Sequence, residues 1–115
     1  MQDLELLTLA AKAVGEQVVG VVEGGVLLYG IQYPWSPLTD DGDALRLAVR
    51  LSMTIDIGGD SSEAVTPIHW YVEQHEGDPM AATRRAIVRA AAEIGKQSNA
   101  KLTGAEQAPL AERPC

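Results

Sequence analysis

Gln17-Val18-Val19-Gly20-Val21-Val22 and Val26-Leu27-Leu28-Tyr29 are two short runs of β-branched and aliphatic residues on either side of Glu23-Gly24-Gly25. Valine packs well on a pleated surface, and a glycine pair supplies the positive φ angles that let two strands reverse tightly, so the segment predicts a β-hairpin. Val18 and Val19 are adjacent and so are Val21 and Val22, which puts apolar side chains on both faces of the first strand. A sheet with cover on both sides is the expectation.

Upstream, Asp3 precedes Leu4, Leu6, Leu7, Ala10, Ala11 and Val14, whose spacings of three and four form one helical stripe ended by Gly15. Downstream, Ile31 to Leu38 holds two prolines and reads as a loop. A helix is expected from about Asp40 to Leu51, with Thr39 as its cap and Asp40, Asp41 and Asp43 at the positive end of its dipole. Leu45, Ala48 and Val49 are assigned to its buried face, and Arg46 and Arg50 to another.

Met53 to Ile57 and Ala64 to Val72 then alternate apolar and polar residues about the turn Gly58-Gly59-Asp60-Ser61-Ser62, which predicts a second hairpin with Pro67 at an edge or bulge. Asp78-Pro79 opens a final helix that Gly95 is expected to stop. Its inner side, with Ala81, Ala82, Ile87, Ala90, Ala91 and Ile94, is small enough for a close approach. The expected fold is α+β in the order α-β-β-α-β-β-α: one mainly antiparallel four-stranded sheet packed with three helices, like an α/β/α sandwich. One domain spans residues 1–95. Residues 96–115 carry only Leu102 and Leu110 as large apolar side chains and read as a disordered or loosely ordered tail.

Charge sharpens the picture. Residues 1–78 hold thirteen acids against three bases, a net of −10, and residues 79–115 hold three acids against six bases, a net of +3. The total of −7 argues against general nucleic-acid binding, which needs a basic surface to release counterions. Arg84, Arg85 and Arg89 on the last helix could contact an anion, but a basic helix beside an acidic body more simply offsets its self-repulsion. No apolar run approaches the roughly 20 residues needed to span a bilayer, and the acidic N-terminus does not read as a secretory signal. No membrane association and a cytoplasmic location are expected.

Chemistry-bearing patterns are sparse. Asp40-Asp41-Gly42-Asp43 lacks the alternate spacing of a calcium loop, and consecutive acids at a helix start serve cap and dipole first. His69 and His75, the two histidines, are not one helical turn apart and have no zinc-protease motif around them. The single cysteine, Cys115, has no neighbouring base to activate it. Gly24-Gly25 and Gly58-Gly59 lack the lysine and spacing of a phosphate loop. No catalytic residue, metal centre or cofactor is expected. All five aromatics lie between Tyr29 and Tyr71, and the proline-stiffened Tyr33-Pro34-Trp35-Ser36-Pro37 suits a contact surface. Trp35 is the more apt of its two rings to fold back on the core, leaving Tyr33 exposed.

Trp35-Ser36-Pro37-Leu38-Thr39-Asp40-Asp41-Gly42-Asp43-Ala44-Leu45-Arg46-Leu47-Ala48-Val49-Arg50-Leu51 resembles a family of small phage and prophage proteins of unknown function, described as a phage α/β/α-sandwich domain. Leu4 to Ala13 and Arg84 to Gly95 resemble the same family, so the likeness covers about residues 4–95. The resemblance implies a phage-encoded, three-layered small domain and no particular reaction. Two functional expectations follow. The first is a non-enzymatic accessory protein that binds a host or phage protein through Tyr33, Trp35 and the acids Asp40, Asp41 and Asp43. The second is a small-ligand or metal-dependent activity centred on those three acids, with His69 nearby.

Overall fold

In the computed structural model, residues 2–107 are described, with side chains over 2–97. α1 (Asp3–Ala13) turns Leu6, Leu7, Ala10 and Ala11 inward, and Gly15 follows it at φ +79°. β1 (Val18–Val22) and β2 (Gly25–Leu28) pair antiparallel with Val22 opposite Gly25, the expected hairpin. Only one face of β1 is covered: Val19 and Val21 are exposed while Val18 and Val22 are half-buried. The double cover expected from the valine run is therefore absent. Gly25 is required by a close approach, because a Cβ there would lie 2.4 Å from the carbonyl oxygen of Trp35.

α2 (Asp41–Arg50) has the expected bounds but differs in its details. The cap is Asp40, not Thr39: the Asp40 carboxylate accepts from the Asp43 amide at 2.8 Å, while the Thr39 hydroxyl is engaged with Ser36. Its buried stripe is Ala44, Leu47 and Ala48, and Leu45 and Val49 are exposed. Small alanines let α2 approach its neighbours closely, and the larger pair is left on the outer side.

The predicted second hairpin is a three-stranded meander of β3 (Thr54–Ile57), β4 (Ser61–Val65) and β5 (Trp70–Gln74), paired antiparallel in that order. The run from Ala64 to Val72 is not one strand. It breaks at Thr66 to His69, where the Thr66 amide donates to the His69 carbonyl at 2.8 Å and Pro67 sits in the turn. The described residues thus form five strands in two small sheets of two and three, in place of one four-stranded sheet, and the α+β class holds.

α3 (Pro79–Gln107) opens on the Asp78 cap, whose carboxylate accepts from the Ala81 amide at 3.0 Å. It does not stop at Gly95 but continues to Gln107; residues 108–115 of the expected tail lie outside the described residues. Gly95 is instead a packing position, since a Cβ there would lie 1.9 Å from the Leu9 carbonyl oxygen. Leu6 and Ala10 of α1 join α2, α3 and Ala64 of β4 in the main core. Leu7 and Ala11 join Val26 and Leu28 of β2 in a second cluster, with Trp35 packed against both. α1 thus packs on the two-stranded sheet through Leu7 and Ala11 and on α3, while α3 packs on the three-stranded sheet, in place of a single sheet between helices.

Candidate functional site

The start of α2 is a ridge between two concavities, and the sequence-singled residues divide between them. On one side a cleft of about 490 Å³ is lined by Tyr33, Trp35, Asp43, Arg46 and Arg50. Trp35 is half-buried, and its backbone is fixed by reciprocal bonds with Val26 (3.0 and 2.8 Å), whereas Tyr33 is 70% exposed. Asp43 accepts from the Ser36 amide at 2.9 Å and from Arg46 at 2.8 Å, and that hydrogen bond holds the Arg46 guanidinium above its ordinary pKa. Arg50 donates to the Val14 carbonyl at 2.6 Å and lies 3.5 Å from Glu16.

Asp41 faces the opposite side and pairs with Arg84 at 2.6 Å. The three carboxylates therefore do not converge on one point: Asp40 and Asp43 share Arg46, at 3.9 and 2.8 Å, while Asp41 points away to α3. Among the described residues no three of His, Cys, Asp and Glu converge in a way that could hold a metal ion. His69 is stacked on Tyr71 with ring centroids 5.0 Å apart.

Each arginine of α3 that could have met an anion has a carboxylate from its own chain. Arg84 holds Asp41 and the Leu38 carbonyl, Arg85 holds Asp3 at 3.1 Å, and Arg89 holds Glu73 while its guanidinium lies 4.5 Å from the Tyr71 ring centroid. An anion would have to displace these partners. Around Arg89, the Tyr71 hydroxyl donates to Glu93 at 3.2 Å. Burial raises the Tyr71 phenol pKa and the nearby Glu93 charge adds to the effect. The Glu93 carboxylate lies below its ordinary range, chiefly through the hydrogen bond from Gln97.

His75 and Ser62, unremarkable in sequence, are buried together. Thr83 donates its hydroxyl proton to the Pro79 carbonyl at 2.8 Å, so its oxygen accepts from Ser62 at 2.7 Å. Ser62 in turn accepts from His75 Nε2–H at 2.9 Å. The polarity of this chain is opposite to that of a serine nucleophile activated by histidine, which needs an unprotonated nitrogen facing the hydroxyl. It is a structural clasp between β4, the end of β5 and α3.

The second concavity was missed by sequence reasoning. A groove of about 420 Å³ between α2, β3 and α3 is lined mainly by Ala44, Leu45, Ile55, Ile57, Met80 and Ile87. Leu45 is 62%, Ile57 61% and Met80 56% exposed. The available signal was α2 itself, which carries apolar residues on two stripes, more than one buried face uses. The chain matches no family model, no curated protein and no solved structure. No described helix is long and apolar enough to cross a membrane.

Proposed function

We propose that the chain is a phage- or prophage-derived accessory protein that acts in the host cytoplasm as a non-enzymatic protein-binding module, with a host or phage protein as its partner and no cofactor. The observation that carries this reading is the α2–β3–α3 groove, where Leu45, Ile57 and Met80 keep large apolar surfaces in water around one concavity. Contiguous exposed apolar surface on a charged domain is the physical mark of an interaction site. The acidic ridge supplies the rim. A basic partner would exchange with Arg46 and Arg84 for Asp40, Asp41 and Asp43, and on the far side of the ridge the exposed Tyr33, with the outer part of Trp35, would add aromatic contact.

Capture from bacterial lysate tests the reading, using the unmodified chain, Leu45→Glu and Met80→Glu, each checked for unchanged thermal unfolding. A partner held by the first and lost from both variants supports it. Identical partner sets for all three, or no partner at all, would overturn it.

A further inference from the structure

The β3 wall of the groove is also a sheet edge. β3 pairs with β4 on one side and, among the described residues, with no strand on the other. The Gly58 amide donates to the Ser61 carbonyl at 2.9 Å, so the pair that closes the hairpin is a hydrogen-bonded one. Antiparallel ladders alternate bonded and non-bonded pairs. In the observed register this turns Asp56 and Thr54 toward β4 and directs the backbone N–H and C=O of Ile55 and Ile57 to the free edge. The same two residues line the groove with their side chains.

The opposite face of the sheet carries a charge conflict. Asp56 stands directly across from Glu63, and among the described residues neither has a cationic partner. Like charges facing across strands repel. We propose that the β3 edge docks an extended segment of a partner protein in which basic and apolar side chains alternate, added as a fourth strand. Its backbone bonds to Ile55 and Ile57, its apolar side chains enter the groove against Leu45 and Met80, and its basic side chains fall in the row of Asp56 and Glu63. A second copy of this chain is disfavoured by charge: pairing Ile55 and Ile57 of two antiparallel β3 strands with one another sets Asp56 against Asp56. This inference rests on the protein-binding reading and names the chemistry of the partner.

The test is amide exchange and binding on the full chain with an alternating lysine–valine octapeptide, an alternating glutamate–valine octapeptide and an amphipathic lysine–leucine helical peptide. The expected result is that the lysine–valine peptide alone slows exchange at Ile55 and Ile57 by about tenfold or more. Its binding should weaken with salt and with Asp56→Lys combined with Glu63→Lys. Absence of that protection, equal binding by the glutamate–valine peptide, or a dimer that protects the same amides without peptide would each overturn the proposal. Binding of the helical peptide that is lost in Met80→Glu and leaves Ile55 and Ile57 unprotected would overturn it while leaving the binding-module reading intact.

Discussion

Gly95 of α3 faces the backbone of Leu9 in α1 so closely that a single added methyl group would lie 1.9 Å from the Leu9 carbonyl oxygen. This crossing joins the first and last helices. Alanine is the better helix former by about 1 kcal/mol, so in an isolated helix Gly95→Ala would stabilise. Here the forced separation of α1 and α3 wins, and Gly95→Ala is expected to lower stability by about 1–3 kcal/mol, read from urea unfolding. A neutral or stabilising result would mean that the helices do not cross here.

The clasp from His75 through Ser62 and Thr83 to the Pro79 carbonyl makes a second demand. Ser62→Ala removes the middle member and leaves the buried His75 Nε2 and the half-buried Thr83 hydroxyl each without their shared partner. The expected cost is about 1–3 kcal/mol in urea unfolding. Combining it with Thr83→Val should cost less than the sum of the single changes, because the two side chains belong to one chain of bonds.

Tyr71 contributes to the alkaline behaviour. Its folded pKa is raised, mainly by burial, so folding favours the neutral phenol. That contribution is whole below the ordinary phenol value and is lost as pH rises through the folded one. Spectroscopic titration of phenolate should show a late-ionising tyrosine that Tyr71→Phe removes, with a flatter alkaline limb of stability in the variant. Glu93 acts with the opposite sign: its lowered pKa gives a contribution present above the ordinary carboxylate range and lost as pH falls through the folded value.

Asp56 and Glu63 predict a stabilising change. Asp56→Lys converts a facing like-charge pair into an opposite-charge pair and should raise stability by about 0.2–1 kcal/mol at low salt. The gain should shrink as salt is added, and thermal unfolding at two ionic strengths measures both effects.

Much of the fold was legible because it rests on local chemistry. The valines about Gly24 and Gly25 made the first hairpin, and Asp78-Pro79 opened the last helix. What escaped depends on distant partners. Gly95 has the residue type of a helix stop, and only the presence of Leu9 shows it to be a crossing point. Leu45 and Val49 share a stripe as apolar as the one that is buried, and the choice between stripes was made by the close fit of Ala44 and Ala48. Pro67 signals an edge or a bulge, but a turn carries the same signal, and it is the turn from Thr66 to His69 that separates β4 from β5. The acids of α2 were found as a cluster in sequence, whereas Asp41 and Asp43 point to opposite sides of their helix. The groove was invisible because its walls come from three separate elements.

The seat of Leu9 against Gly95 also orders the birth of the molecule. α1 is synthesised before α3 and, although β2 can cover Leu7 and Ala11 early, it waits on the order of 4–17 s for α3 at the roughly 5–20 residues per second of a ribosome. Until then Leu6 and Ala10 have no α3 to cover them, and a nascent chain stalled short of Gly95 would present that stripe to chaperones while a chain released beyond it would not.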